Sequence, residues 1–307
     1  MPDPSAGTST STGGSTADLC PDGFPRGVAG PPHLVAQLSS QPEGVAACAN
    51  GDVFVSLPDE GQVVRVPLSG ASPELWTTLP GRKPLGMVCM NNVLFVVDFR
   101  SADAAVMRIT GKDDPGTPLP KIGNDPGYSA LNAIVGVPGL GLFASDASNT
   151  VNGRIVFFAE TAPGVFHASV EKSGIAFPNG VEFEPKTNTL DVALTLGSRV
   201  LSYPIGNDGS LGKPNSAWSS IPIVDAIDGI ARDENAALYV AHYLQGYISR
   251  STDGAHVATV NTPRSLVFRG GTLLFTSATG LHGVDLGICG AHSLGNATPP
   301  VPLSRWR

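Results

Sequence analysis

The chain predicts an all-β fold, a six-bladed β-propeller with four-stranded antiparallel blades. One observation is a unit that recurs six times: an entry turn, a short apolar strand, a Gly/Asn-rich turn and a second apolar strand. The entries are Pro42-Glu43-Gly44, Pro84-Leu85-Gly86, Leu131-Asn132-Ala133, Pro178-Asn179-Gly180, Ile227-Asp228-Gly229 and Arg264-Ser265-Leu266. They return at roughly 40–50-residue intervals, a period that in β-type units means a propeller, because one blade cannot bury both of its faces alone. A further observation is the number of short strands with turn punctuation and the lack of a helical period.

The units can be followed along the chain. Unit 1 runs from Gly44 through an Asn50-Gly51 turn, a strong hairpin signal, into Asp52–Ser56, with further strands at Gln62 and Glu74. Unit 2 has apolar runs at Gly86–Met90 and Val93–Asp98 around Asn91-Asn92, and unit 3 has them at Asn132–Val137 and Gly141–Asp146. Unit 4 places Gly180–Glu184 before Thr189–Leu194. Unit 5 places Gly229–Arg232 before Ala237–His242, and unit 6 places Leu266–Arg269 before Thr272–Ser277. Third strands recur at Ala105, Arg154, Arg199 and Gly246. The Pro-containing stretch 111–128 is the lid candidate, a long connection able to overhang the channel mouth.

The expected domain is single, residues 20–290, between a Ser/Thr/Gly-rich tether at 1–19 and an extended tail at 291–307. The tether composition cannot bury enough apolar area to order itself. A net charge of −7 in 307 residues argues against nucleic-acid or anionic-membrane binding and is compatible with a cation site. No run reaches the roughly 18 apolar residues of a membrane helix. The expected partner is a small-molecule substrate, and the expected state a monomer. Met1 is followed by no signal peptide. A Ser/Thr/Gly tether fits an exported protein whose leader has been removed, with a cytoplasmic protein the alternative. Asn296-Ala297-Thr298 is a sequon by pattern. Cys20 and Cys289 flank the repeat array, whose closure would bring them together as a disulfide in an oxidising compartment. Cys48 and Cys89, at apolar positions of first strands, read as packed thiols.

The middle residue of each entry carries the chemistry. First strands line a propeller's axis, so Glu43, Leu85, Asn132, Asn179, Asp228 and Ser265 are expected to form one ring. A second ring is expected near Ser56, Asp98, Asp146, Leu194 or Thr195, His242 and Ser277. Glu43, Asp228, Asn132 and Asn179 offer two charges and two neutral carbonyls. That set suits Ca²⁺, which takes six to eight oxygens, with Zn²⁺, Mn²⁺ or Mg²⁺ as other candidates. Taken singly, an Asx-Gly pair is an ordinary turn former; four donors at equivalent positions are harder to explain that way.

These motifs carry a resemblance. Pro42-Glu43-Gly44, the run Phe177–Phe183 and the run Ile227–Asp233, followed by Ala237–Ala241, resemble the regucalcin/gluconolactonase superfamily. The segment Leu196–Tyr203 with Asp208–Gly212 resembles that family's fourth blade. The resemblance implies a six-bladed propeller with a catalytic divalent cation held by Glu43, Asn179 and Asp228. Asn132 matches a position that binds metal in the similar diisopropylfluorophosphatase and paraoxonase enzymes and that contacts substrate in sugar lactonases. The sugar lactonases carry an Arg two residues before that Asn, where this chain has Ala130. That departure points away from a gluconate-type polyol lactone and toward a less polar substrate.

The expected activity is Ca²⁺-dependent hydrolysis of a lactone, an ester or a phosphotriester. The cation would polarise the carbonyl or phosphoryl oxygen, and Asp228 would be ligand and general base or nucleophile. His242 and Asp146 are candidate proton shuttles, with a packed histidine the alternative for His242. Asp98, Ser265 and Leu85 are assigned to the substrate or its surroundings, with a turn cap the alternative for Asp98. Two other readings stay open: a non-catalytic ligand- or protein-binding propeller with a structural cation, and a metal-assisted lyase or isomerase of a natural product.

Overall fold

The computed structural model describes residues 19–99, 103–123, 127–128, 130–147, 151–219 and 225–291. Residues 1–18 of the tether, residues 292–307 of the tail with its sequon, and residues 124–126 of the lid candidate lie outside them. Among the described residues, twenty-four strands form six four-stranded antiparallel sheets, and a 3-10 turn, Thr195–Gly197, joins two of the strands.

Each sheet is a blade. Blade 1 comprises β2 (Val45–Ala47), β3 (Val53–Leu57), β4 (Gln62–Arg65) and β5 (Glu74–Thr78). Blade 2 comprises β6 (Pro84–Met90), β7 (Val93–Asp98), β8 (Val106–Ile109) and β9 (Thr117–Pro118). The central part of the lid candidate is therefore an outer strand, paired to β8. Blade 3 is β10 (Leu131–Val137), β11 (Gly141–Asp146), β12 (Gly153–Ala162) and β13 (Val165–Ile175). Blade 4 is β14 (Pro178–Glu184), β15 (Thr189–Leu194), β16 (Arg199–Pro204) and β17 (Asn215–Ser219), and blade 5 is β18 (Ile227–Arg232), β19 (Leu238–His242), β20 (Tyr247–Arg250) and β21 (His256–Thr259).

Blade 6 is built from both ends of the chain. It takes β22 (Leu266–Arg269), β23 (Thr272–Ser277) and β24 (Gly280–Asp285) from the C-terminal side. Its outer strand is β1 (His33–Ala36), antiparallel to β24. The repeat pattern did not mark β1, because four residues with one buried side chain carry no periodic signal. A disulfide between Cys20 and Cys289, with Cα atoms 5.6 Å apart, lies beside this junction. A second disulfide corrects the reading of packed thiols: Cys48 and Cys89 are bonded, with Cα atoms 5.1 Å apart. Cys48 directly follows the inner strand of blade 1 and Cys89 lies on that of blade 2, so the ring brings together two cysteines 41 residues apart.

The core is divided among the blade interfaces. Val55 and Leu57 pack with Leu274 and Leu281 between blades 6 and 1, and Phe54 and Val63 with Leu94 and Ile109 between blades 1 and 2. Phe95 and Val97 meet Leu142 and Phe158 across the next interface, and Phe143 and Phe157 meet Leu190 and Val192. Val200 packs with Val240, and Tyr239 and Ile248 with Phe268 and Phe275. Each fully buried aliphatic or aromatic side chain contributes roughly 1.5–3 kcal/mol, and here that gain exists only while the neighbouring blade is present.

The glycine after the ring position has a packing role where the sequence suggested a turn. A Cβ on Gly44 would lie 2.1 Å from Leu85 O, one on Gly180 2.5 Å from Asp228 O, and one on Gly229 2.2 Å from Arg264 O. None of the three adopts a positive φ. Their lack of a side chain lets adjacent inner strands touch at the axis, which draws the ring residues together.

Candidate functional site

The ring forms where the sequence expected it. Glu43, just before β2, Asn132 on β10, Asn179 on β14 and Asp228 on β18 all line one axial cavity of about 190 Å³ that runs down the inner strands. Glu43, Asn132 and Asp228 also floor a second cavity, of about 270 Å³, whose wall adds Lys83, Phe99 and Arg264. Leu85 lines both cavities and offers the ring an apolar contact. Ser265 lines only the axial one, and its Oγ accepts from Val45 N at 3.3 Å.

Hydroxyls hold this ring in place. Ser56 Oγ accepts from Gly44 N (2.7 Å) and donates to Leu85 O (2.8 Å). Ser145 Oγ accepts from Ala133 N (3.0 Å) and donates to Asn179 O (2.7 Å). Thr276 Oγ1 accepts from Ser265 N (3.2 Å) and donates to Glu43 O. Each hydroxyl sits near the end of a second strand and ties its blade to the backbone of a ring residue on the next. The sequence reading included Ser56 but missed Ser145 and Thr276. The signal available was Ser or Thr one residue before the strand's last position.

That one-residue offset corrects the expected second ring. Successive strand residues face opposite sides, so Asp146 faces away from the direction of Ser145. Asp146 Oδ1 accepts from Ala130 N (3.2 Å) and Oδ2 from Arg154 Nη2 (2.6 Å). Asp98 does the same in blade 2, accepting from Lys83 N (2.9 Å) and pairing with Arg82 Nη1 (2.9 Å). Both brace the entry turns of their own blades, and neither lines a cavity of the ring.

His242 is also kept from the ring. Its Nδ1 pairs with Asp225 Oδ2 and its Nε2 lies 2.7 Å from Ser249 Oγ. Tyr247 stacks on the imidazole at 4.0 Å and Trp218 meets it edge-on at 5.5 Å. The Ser249–His242–Asp225 order has the composition of a nucleophilic triad. All three residues are buried, however, and none lines either cavity. Ser249 lies inside β20 rather than on an exposed elbow. The arrangement braces blade 5.

Electrostatics set the ring apart. Burial, then the neighbouring Asp228, pushes the Glu43 carboxyl up to about 8, against a pull downward from Arg264. Burial raises Asp228 to about 6, opposed by Arg264 and by a hydrogen bond from the Asn179 side chain. Arg264 Nη1 donates to Glu43 Oε1 (2.7 Å) and Pro42 O (3.0 Å). The sequence reading passed over Arg264 because it precedes the ring position.

The donor set fits a divalent cation. Asn179 Nδ2 donates to Thr195 Oγ1 (3.0 Å), while its Oδ1 is buried without a hydrogen-bond partner. A buried acceptor left unpaired is costly, and two desolvated carboxylates side by side favour losing a proton only when a cation joins them. Among the described residues no three His, Cys, Asp or Glu side chains converge as a metal cluster. Two carboxylates with amide oxygens form a hard-cation set of the calcium type rather than a zinc set.

Residues 131–279 match the family model described as the SMP-30/Gluconolactonase/LRE-like region. The chain carries an SMP-30/gluconolactonase/LRE-like region. This region holds Asn132, Asn179 and Asp228, and Glu43 joins them from outside it. No curated protein matches the chain. Among solved structures, a gluconolactonase from Xanthomonas campestris is 16% identical, with a TM-score of 0.69 over 83% of this chain and 89% of that one. A regucalcin from Agrobacterium tumefaciens, described as a calcium-binding protein, is 17% identical, with a TM-score of 0.64 over 86% of this chain and 95% of its own. A virginiamycin B lyase from Staphylococcus aureus is 14% identical, with a TM-score of 0.56 over 82% of this chain and 97% of its own. At these identities the likeness is one of fold, and fold alone does not choose among chemistries.

Proposed function

We propose that the chain is a Ca²⁺-dependent hydrolase of small lactones or esters. The observation that carries this reading is the ring on the axial cavity, where Glu43, Asp228 and the unpaired Asn179 Oδ1 face a shared need for a cation. The matched family region and the gluconolactonase neighbour support it. A bound divalent ion supplies Lewis acidity toward an acyl oxygen. Glu43, Asn132, Asn179 and Asp228 would hold it.

The chain's own residues account for the rest. Asp228, beside Asn179 and near Arg264, takes a proton from the attacking water in the role of general base. The new bond joins water oxygen to the acyl carbon, the acyl–oxygen bond breaks, and the proton passes to the departing alkoxide, leaving a hydroxy acid from a lactone or an acid and an alcohol from an ester. The cavity of about 270 Å³ falls just below the about 300–1,000 Å³ of most ligand sites, and so suits a monocyclic substrate. Its polar and charged wall differs from the less polar pocket that Ala130 suggested, because Arg264 brings a guanidinium from blade 6. Two disulfides support function in an oxidising, exported setting. No helix among the described residues is long and apolar enough to cross a membrane.

The test is Asp228→Asn in the full chain with saturating Ca²⁺, assayed on a panel of lactones, aryl esters and phosphotriesters. The expected result is an unchanged melting profile with turnover reduced at least a thousandfold. Wild-type protein inert across the panel, or a variant as active as wild type, overturns the reading.

A further inference from the structure

Arg264 is placed like a group waiting for an anion. Its side chain is 7% exposed and lines the second cavity. Nη1 is fixed by Glu43 Oε1 and Pro42 O, and the guanidinium lies over the Tyr243 ring, 5.6 Å from its centroid. The Nε–H is buried and has no hydrogen-bond partner. A guanidinium presents a planar fork of donors matched to a carboxylate, and here part of the fork is used to hold the side chain still while Nε is left without an acceptor. Lys83 stands on the wall of the same cavity, and among the described residues its ammonium has no carboxylate partner.

The acids around the cavity set a condition. Glu43, Asp228 and Asp59 also line it, so an anion is repelled from the empty ring. With a divalent ion held by the ring, the charge of Glu43 and Asp228 would be matched, and Arg264 and Lys83 would outweigh Asp59. Phe99 supplies an aromatic wall of this cavity, suited to the carbon skeleton between two polar ends.

We propose that Arg264, assisted by Lys83, is the specificity residue for a substrate that carries a carboxylate besides its scissile acyl group, a small acidic lactone or ester. The proposal rests on the hydrolase reading. Its carboxylate sits on the guanidinium while the acyl carbon lies over the ring, so recognition and chemistry occupy opposite ends of one small molecule.

The experiment compares 5-oxotetrahydrofuran-2-carboxylate with γ-valerolactone, which has a methyl group where the first has its carboxylate, using the full chain in saturating Ca²⁺. Wild type is expected to favour the carboxylate in kcat/KM by about tenfold or more, chiefly through KM, in keeping with a charge-assisted bidentate contact. Arg264→Gln should erase the preference and Arg264→Lys should keep part of it. Lys83→Gln should reduce it about threefold, as expected for a rim charge. Calorimetric binding of 2-hydroxyglutarate, the product-shaped dicarboxylate, gives a readout independent of turnover. It should bind wild type and weaken about tenfold in Arg264→Gln.

Equal hydrolysis of both lactones by wild type overturns the proposal and leaves the hydrolase reading standing. If neither lactone is cleaved, dicarboxylate binding still decides: binding lost in Arg264→Gln supports the anion site, and absence of binding by wild type overturns it. An Arg264→Gln variant that loses both substrates equally along with Ca²⁺ affinity shows that Arg264 only positions Glu43, which also overturns it. Should Arg264→Gln fail to fold, Lys83→Gln on the exposed rim decides by the same two measurements.

Discussion

Calcium binding to this ring should expel protons, in a number that depends on pH in a defined way. Glu43 is raised to about 8 and Asp228 to about 6, so between those values the pair holds one shared proton. Cation binding requires both carboxylates ionised. The proton release should therefore be about two per ion at pH 5, about one at pH 7 and about a tenth at pH 9. The sense for stability follows. A carboxyl raised from 4.5 to about 8 stabilises the cation-free fold fully below its unfolded value and loses that contribution as pH rises through about 8. Asp228 adds the same sense between 3.8 and about 6. For Glu43 the loss is on the order of 3 kcal/mol once its partial exposure is allowed for. Titration calorimetry in PIPES, MOPS and Tris at pH 7 gives the proton count as the slope of observed enthalpy against buffer ionisation enthalpy. A slope near zero at pH 7, with binding heat present, refutes the shared proton. No binding at any of the three pH values refutes the cation site.

Further outcomes are expected from the scaffold. Thr276→Val leaves Ser265 N and Glu43 O without their shared hydroxyl; scanning calorimetry should show a loss of about 1–3 kcal/mol, with Ca²⁺ affinity falling alongside. Gly229→Ala, with a Cβ 2.2 Å from Arg264 O, should cost about 3 kcal/mol in a urea melt, whereas Gly111→Ala, which meets nothing within 4 Å, should be neutral. Removing the Cys48–Cys89 bridge, which spans 41 residues, through the double serine variant should cost up to about 4 kcal/mol by the same melt. His242→Gln breaks the pairing with Asp225 and Ser249 and should lower Tm while kcat changes less than about threefold, since only a group at the reacting atoms contributes factors of a hundred or more; a hundredfold fall in kcat would return His242 to the chemistry.

The blade count and ring were legible because they depend on period, which a single sequence displays. Glu43, Asn132, Asn179 and Asp228 occupy equivalent slots, and equivalent slots in a closed ring meet. Parity was harder. Asp98, Asp146 and His242 differ from the bridging hydroxyls by one residue, and the apolar runs around them, buried on both faces, give no alternation from which to fix a facing. Arg264 was hidden for another reason. Its contacts, Pro42 and Glu43, lie more than 200 residues away in the chain, and a partner across the seam leaves no local mark. The Cys48–Cys89 bond was missed because two half-cysteines in apolar strands read the same as packed thiols until the distance between strands is known.

The seam in blade 6 has a consequence for how this molecule comes into being. Strand β1 is made first, yet its hydrogen-bonding partner β24 is among the last described strands to leave the ribosome. For nearly the whole of synthesis the nascent chain is an open arc, with one apolar blade face bare at each end, and such faces are sticky while they wait. Final closure is a contact of very long sequence separation, which slows folding. Oxidation of Cys20 with Cys289 can act only after that rendezvous. The bond is then a latch on a finished circle, and reductant should show itself first as a change in how fast the circle reopens.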